Sequence, residues 1–201
     1  MKDLKTQEKW DSAAAIFDLM GGFGPERRWR ARKTRLFSQM EGKVLFVAVG
    51  TGLDISSFPS GKNIVGIDIS PKMLEKAKPR ADAYPGEMTL RVMDVHDMDF
   101  PNAFFDQVYT SCAFCSVPDP VRGLSALLRV LKPGGELKMF EHTGSRCFPF
   151  SLMLNVMNPL FRSFGPETNR DTVANVRAAG FQVRKVTNIF LDVVKTIEAE
   201  A

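Results

Sequence analysis

The run Val44-Leu45-Phe46-Val47-Ala48-Val49, closing on the turn Gly50-Thr51-Gly52, constrains this chain more than any other stretch. An unbroken apolar run without alternation suits a strand buried on both faces, as in the interior of a parallel sheet. Such a strand must stop where the chain turns, and Gly50 and Gly52 let the backbone adopt positive φ and pass close to a ligand without Cβ interference. A second run ends in Val65-Gly66-Ile67-Asp68, which sets a carboxylate at the tip of the neighbouring strand. A glycine turn beside an acceptor for two ribose hydroxyls is the pattern of a nucleoside-cofactor site.

Dinucleotides use the same pieces, and the third glycine of G-x-G-x-x-G separates the cases, because a small residue there allows close helix packing under a pyrophosphate. This chain has Ile55 at that position, so a nicotinamide dehydrogenase is disfavoured.

Alternation of strand-like and helical stretches predicts strands near 43–49, 63–68, 88–93, 105–111 and 135–141, and helices near 71–83 and 119–131. Pro71 marks a helix start. Before them an amphipathic stretch from Gln7 to Met20 leads through Gly21-Gly22-Phe23-Gly24-Pro25 into a charged helix from about Glu26 to Met40. The end differs: Phe181 to Asn188 and Ile189 to Glu198 read as strands joined by a short link, an antiparallel hairpin. The 201 residues with 44% apolar content suit one α/β domain, 1–201, with a helical segment over 1–41, a core over 42–201 and an apolar insertion near 145–165. No apolar run reaches the length of a membrane span and Met1-Lys2-Asp3-Leu4-Lys5-Thr6 lacks a signal-peptide core, so a cytoplasmic protein is expected. Three cysteines fit a reducing compartment, and Cys112 and Cys115 without a second CxxC make a metal site unexpected.

Leu90-Arg91-Val92-Met93-Asp94, Phe104-Phe105-Asp106-Gln107-Val108 and Arg129-Val130-Leu131-Lys132-Pro133-Gly134-Gly135 follow in order. With the glycine turn and Asp68, this set resembles the class I S-adenosylmethionine-dependent methyltransferases over nearly the whole chain. The resemblance implies a Rossmann-like doubly wound, seven-stranded, mostly parallel sheet with a C-terminal antiparallel hairpin. S-adenosyl-L-methionine would be the cofactor and S-adenosyl-L-homocysteine the product. By position it places Ala48, Gly50, Thr51, Gly52 and Ser111 near the methionine part and Asp68 on the ribose. Asp94 and the Val95 N–H would then meet the adenine, flanked by Ile69 and Met73, although a turn cap is the plainer role for Asp94. The chain departs from the family at Phe46, where an acid is usual, and at Ala48, where a glycine is usual. Asp54 or a backbone carbonyl would have to replace that acid at the cofactor's ammonium.

Trp10-Asp11-Ser12-Ala13-Ala14-Ala15-Ile16-Phe17-Asp18 is similar to the lid segment of ubiquinone and menaquinone methyltransferases. Trp10 and Phe17 would cover the cofactor, Phe17 standing where a tyrosine is usual; an ordinary core helix is the alternative. The cations Arg27, Arg28, Arg30, Arg32, Lys33 and Arg35 exceed the formal net charge of +4. They suit an anionic membrane surface, a phosphate-bearing substrate, the cofactor carboxylate or simply a solvated helix face. Nucleic acid is disfavoured, since only Trp29 interleaves them and Ser111-Cys112-Ala113-Phe114 is unlike the Asn/Asp-Pro-Pro-Tyr type motif of base methyltransferases.

Glu141-His142-Thr143-Gly144 and the apolar stretch Phe148 to Phe161 follow the fifth strand, at the carboxyl edge where acceptors bind in such sheets; the stretch makes a greasy pocket or a membrane-facing lid there, unless it is one more core helix. With Asp99-Phe100-Pro101 and Val117-Pro118-Asp119-Pro120, this region resembles both the thiol S-methyltransferases of animals and bacterial phospholipid N-methyltransferases. Both imply a small or lipid-like acceptor, a phospholipid amine or a thiol, touched by Cys115, His142, Phe148 and Met153. His142 is the expected proton acceptor with Glu141 as alternative, against a purely structural histidine; His96 belongs near the cofactor rim or the surface. The competing reading is a non-catalytic binding module, which Phe46 and Ala48 would suit and Gly50, Gly52, Asp68 and Asp94 oppose.

Overall fold

The structure is a computed structural model describing residues 3–22, 25–164 and 167–201, and side chains over 3–18, 28–159 and 167–201. Two helices, α1 (Leu4–Gly22) and α2 (Pro25–Phe37), precede β1 (Lys43–Val47), a 3-10 turn (Leu53–Ser57), β2 (Asn63–Asp68), α3 (Pro71–Asp82) and β3 (Glu87–Val92). Then come β4 (Phe105–Ser111), α4 (Pro120–Val130), β5 (Leu131–His142), α5 (Phe150–Phe164), α6 (Thr172–Ala178), β6 (Gln182–Phe190) and β7 (Val194–Glu200). The sheet runs β3-β2-β1-β4-β5-β7-β6, parallel except that β7 pairs antiparallel with both neighbours.

β1 shows how the sequence sets this arrangement. Its side chains alternate, so Leu45 and Val47 join the core with Leu124, Leu127 and Val176, while Val44 and Phe46 face the other layer with Phe37, Leu74 and Ala77. Both faces are buried, which explains the unbroken apolar run. Helix starts are fixed locally: the Ser70 hydroxyl accepts from Met73 N at 3.1 Å ahead of Pro71, and Asp119 accepts from Arg122 N at 3.0 Å ahead of Pro120. From β1 the chain proceeds to β2 on one side while β4 lies on the other, and this switch point opens a crevice at the strands' carboxyl ends.

Three expectations need correction. The hairpin turn lies later than the link expected after Asn188, at Leu191 to Val193; Leu191 takes φ +47 without a glycine or asparagine to announce it. Asp192 holds that turn by accepting from Ser145 Oγ at 2.6 Å and Arg146 N at 2.7 Å. Gly52 is a packing residue: at φ +83 an added Cβ would stand 2.9 Å from Ile55 Cδ1 and 3.2 Å from Ala77 Cα. It lets α3 approach the turn. Glu141, expected near the reacting groups, is fully buried beneath the loop after β4. Oε1 accepts from Thr110 Oγ1 at 2.7 Å and Ala113 N at 3.2 Å, and Oε2 from Phe114 N at 3.2 Å. Its carboxylate shapes that loop.

Gly52→Ala is expected to cost about 1–2 kcal/mol from the backbone alone, seen as a lower urea midpoint at unchanged slope. Burial pushes the Glu141 carboxyl up to about 7 from an ordinary 4.5, against the pull of the Thr110 hydroxyl and the backbone donors of the loop. A carboxyl raised in the folded state stabilises fully below its unfolded value, and that contribution is lost as pH rises through the folded one. The urea midpoint should therefore fall between pH 5 and pH 8, and Glu141→Gln should flatten that fall.

Candidate functional site

One cavity spans the carboxyl ends of β3, β2, β1 and β4. Three strand-to-strand steps cover about 14 Å. Asp94 and Val95 follow β3 at one end, Asp68 and Ile69 end β2, and Ala48, Gly50 and Thr51 form the turn after β1. Ser111 and Cys112 close the other end. Trp10 and Phe17 of α1 and Met73 of α3 also line it, so all the predicted cofactor residues except Gly52 meet around one space.

Asp68 is the floor's organising group. Its Oδ2 accepts from Gly50 N at 2.8 Å and its Oδ1 from Ser70 N at 2.9 Å. A carboxylate offers about four lone-pair sites, so capacity remains for hydroxyl donors. Burial raises its pKa to about 6, the backbone donors acting against the rise. Gly50, at φ +58, presents bare backbone to the cavity, where an added Cβ would find only Phe17 Cε1 at 3.9 Å. Ala48 also holds a positive φ, +56, a strained state for a residue with a Cβ.

Asp94 Oδ1 accepts from His96 N at 2.9 Å and faces His96 Nδ1 at 2.8 Å. His96 Nε2 meets the Asp119 carbonyl at 2.9 Å. The His96 ring is thus held between the Asp94 carboxyl and the Asp119 carbonyl at the cavity rim.

One backbone N–H and two carboxylates of the α1 segment tie it over this space. Asp3 N lies 3.4 Å from Asp94 Oδ2. Asp11 accepts from Ser70 Oγ and from Lys72 N at 3.3 Å, and Asp18 from Thr51 Oγ1 and from Arg80 Nη2 at 2.9 Å. Asp3, Thr6, Trp10 and Phe17 fall on one helical stripe facing the cavity. Sequence reasoning began this segment at Gln7 and missed Asp3 and Thr6, though their spacing to Trp10 carries the signal.

The predicted acceptor residues do not join the site. Cys115 is buried behind the wall, its Sγ directed at the Cys112 carbonyl at 3.5 Å, with burial pushing its thiol up to about 12. Cys112 lines the cavity instead, because the chain leaves β4 in a left-handed turn at φ +52, which breaks the strand alternation. Its thiol is solvent-accessible through the cavity yet hemmed in by protein, and this enclosure, with Glu141 nearby, raises its pKa well above the ordinary value. His142 pairs in register with Val194, away from the cavity lining, and burial lowers its pKa. Phe148 is 80% exposed and Met153 48% exposed, both outside the cavity. Among the basic residues, Arg28, Arg30, Arg32 and Arg35 are exposed, whereas Lys33 turns inward and pairs with Asp54 at 2.9 Å in the cavity wall; the Arg27 side chain lies outside the described residues.

A methyltransferase domain family matches residues 45–139. A ubiquinone/menaquinone biosynthesis C-methyltransferase of Geotalea daltonii is 33% identical over 181 residues, covering 81% of this chain and 77% of that protein. A phosphatidylethanolamine N-methyltransferase of Cereibacter sphaeroides is 33% identical over 140 residues, covering 69% and 66%. Among solved structures, an S-adenosylmethionine-dependent methyltransferase of Thermotoga maritima superposes with a TM-score of 0.72 at 15% identity, over 97% of this chain and 99% of that one. The seven-stranded sheet, the crevice at its switch point and these relatives agree, and the chain belongs to the Rossmann-like S-adenosylmethionine-dependent methyltransferases.

Proposed function

We propose that the cavity binds S-adenosylmethionine lengthwise and that the protein methylates a lipophilic acceptor met at a membrane surface. The bound sulfonium supplies an electrophilic methyl carbon; alignment, exclusion of water and disposal of a proton fall to the protein. Asp94 and Val95 N would serve the adenine between Ile69 and Met73, Asp68 the ribose, and Gly50 and Thr51 the chain beyond it. Ser111 Oγ fits this reading, since it is buried without a partner among the described residues at the β4 end, the kind of orphaned group a ligand completes. Trp10 and Phe17, edge to face with centroids 6.3 Å apart, would exclude water from above.

The acceptor reading is carried by the outer face of α5 and the residues leading into it. Phe148, Leu152, Met153 and Val156 are exposed there, and residues 143–164 contain no aspartate or glutamate. Glu167 N donates to the Cys115 carbonyl at 2.8 Å and Arg170 Nη1 to the Phe114 carbonyl at 2.7 Å, tying the end of this segment to the loop that lines the cavity. On the far side Arg28 stacks 4.4 Å over Phe190, two residues before the Asp192 that holds Ser145 and Arg146. The exposed apolar side chains of α5 and the exposed cations of α2 each suit an anionic lipid surface. A phospholipid amine is the first candidate, in keeping with the Cereibacter relative's name. A thiol is the second, because the His96 ring nitrogens are both engaged by Asp94 and the Asp119 carbonyl and Glu141 is walled off, so a nucleophile that ionises unaided fits the cavity.

Incubation with methyl-labelled S-adenosylmethionine should put label into phosphatidylethanolamine presented in anionic vesicles. Label in an apolar thiol would select the second candidate, label in a quinol ring would replace both, and no transfer by a cofactor-loaded protein would overturn the acceptor reading. Asp68→Ala should weaken S-adenosylhomocysteine binding roughly tenfold or more while the fold persists; unchanged affinity would remove the ribose assignment. Because the ionised Asp68 is the form that accepts from hydroxyls, wild-type affinity should hold above about pH 6 and fall on acidification through it.

A further inference from the structure

The lengthwise pose sets the amino-acid tail, with an ammonium and a carboxylate on one carbon, beside the Gly50–Thr51 turn and leaves its two charges to be matched. We propose that Lys33 and Asp54 form a two-charge clamp for that tail, Lys33 receiving the carboxylate and Asp54 the ammonium. This rests on the reading that the cavity holds S-adenosylmethionine.

The charges are where the tail needs them. Asp54 lies just past the glycine turn, and Lys33 Nζ reaches over the Phe140 ring of β5 at 5.7 Å, so the pair stands at the end opposite Asp94. The orphaned Ser111 hydroxyl is at the same end. Lys33 is the one lysine or arginine among the described lining residues. The other carboxylates of the lining stand away from this end: Asp68 at the tip of β2, Asp94 after β3, and Asp3 bonded to Thr6 and, through its N–H, to Asp94. β1 contributes no polar group, since Phe46 is enclosed by Phe37 and Phe58 with centroids 5.6 and 4.8 Å away.

The Lys33 and Asp54 side chains are only 3% and 14% exposed. A buried ion pair is a weak stabiliser, because desolvation offsets much of the attraction. Facing a ligand cavity, the same pair complements a zwitterion. Empty, it is neutral as a unit; with the tail beside it, four charges alternate in sign and no net charge enters the interior.

Calorimetry with three nucleosides tests the clamp, because they remove the tail's charges in turn. S-adenosylhomocysteine carries both, decarboxylated S-adenosylhomocysteine keeps the amine alone, and methylthioadenosine has neither. Lys33→Met should weaken S-adenosylhomocysteine about 10- to 100-fold, leave methylthioadenosine unchanged and bind the amine at least as well as wild type. The isosteric Asp54→Asn should weaken the first two ligands and spare the third, and methylthioadenosine binding reports that each variant folds. Equal losses on all three ligands, or none on any, would overturn the clamp. A wild-type protein that binds none of them would overturn the underlying cofactor reading instead.

Discussion

Asp68 ends β2 with one carboxylate oxygen on Gly50 N and the other on Ser70 N, so a single buried side chain sets the spacing between the turn after β1 and the first turn of α3. The rest of the cavity is built outward from that spacing. Ser70, held by Asp68, caps α3 through Met73 N and donates to Asp11, which brings α1 down over the floor. Gly52 then allows α3 to close against the turn with Ala77 beneath it. The carboxylate stays buried at the cost of a raised pKa, a common property of groups kept for ligand recognition.

The electrostatics of the site follow from the order of the strands. Acceptors stand over β3 and β2, bare backbone over β1, and the inward-turned Lys33–Asp54 pair beside an unpartnered hydroxyl over β4 and β5. Such a polarised trough fits an elongated ligand that is neutral at one end and zwitterionic at the other. The α1 segment completes it with aromatic rings toward the trough and carboxylates toward the rim, a division produced by helical spacing.

Much of this was legible in the sequence because it rests on local pattern. The apolar run of β1, the tip of β2 at Asp68 and the proline-marked starts of α3 and α4 are set by neighbours along the chain. What escaped depends on contacts between distant segments. Glu141 looks like a reactive acid until the loop of Ala113 and Phe114 is seen folded onto it. Cys115 and Cys112 exchange places because one left-handed residue ends the strand alternation, and Lys33 is indistinguishable in sequence from the cations around it that face solvent. The hairpin turn at Leu191 has no turn residue of its own and depends on Asp192 reaching back to Ser145 and Arg146. The composition of α5 suits a greasy pocket, a membrane-facing lid or a core helix alike, and only the structure shows Phe150, Leu152, Met153, Val156 and Met157 exposed.

The central claim is the orientation of the nucleoside along the strand ends, and a crystal structure with S-adenosylhomocysteine tests it most directly. The account predicts adenine at Asp94, ribose hydroxyls on Asp68, and the amino-acid tail between Lys33, Asp54 and Ser111. A ligand lying the other way, or bound outside the trough beneath Trp10 and Phe17, would contradict it.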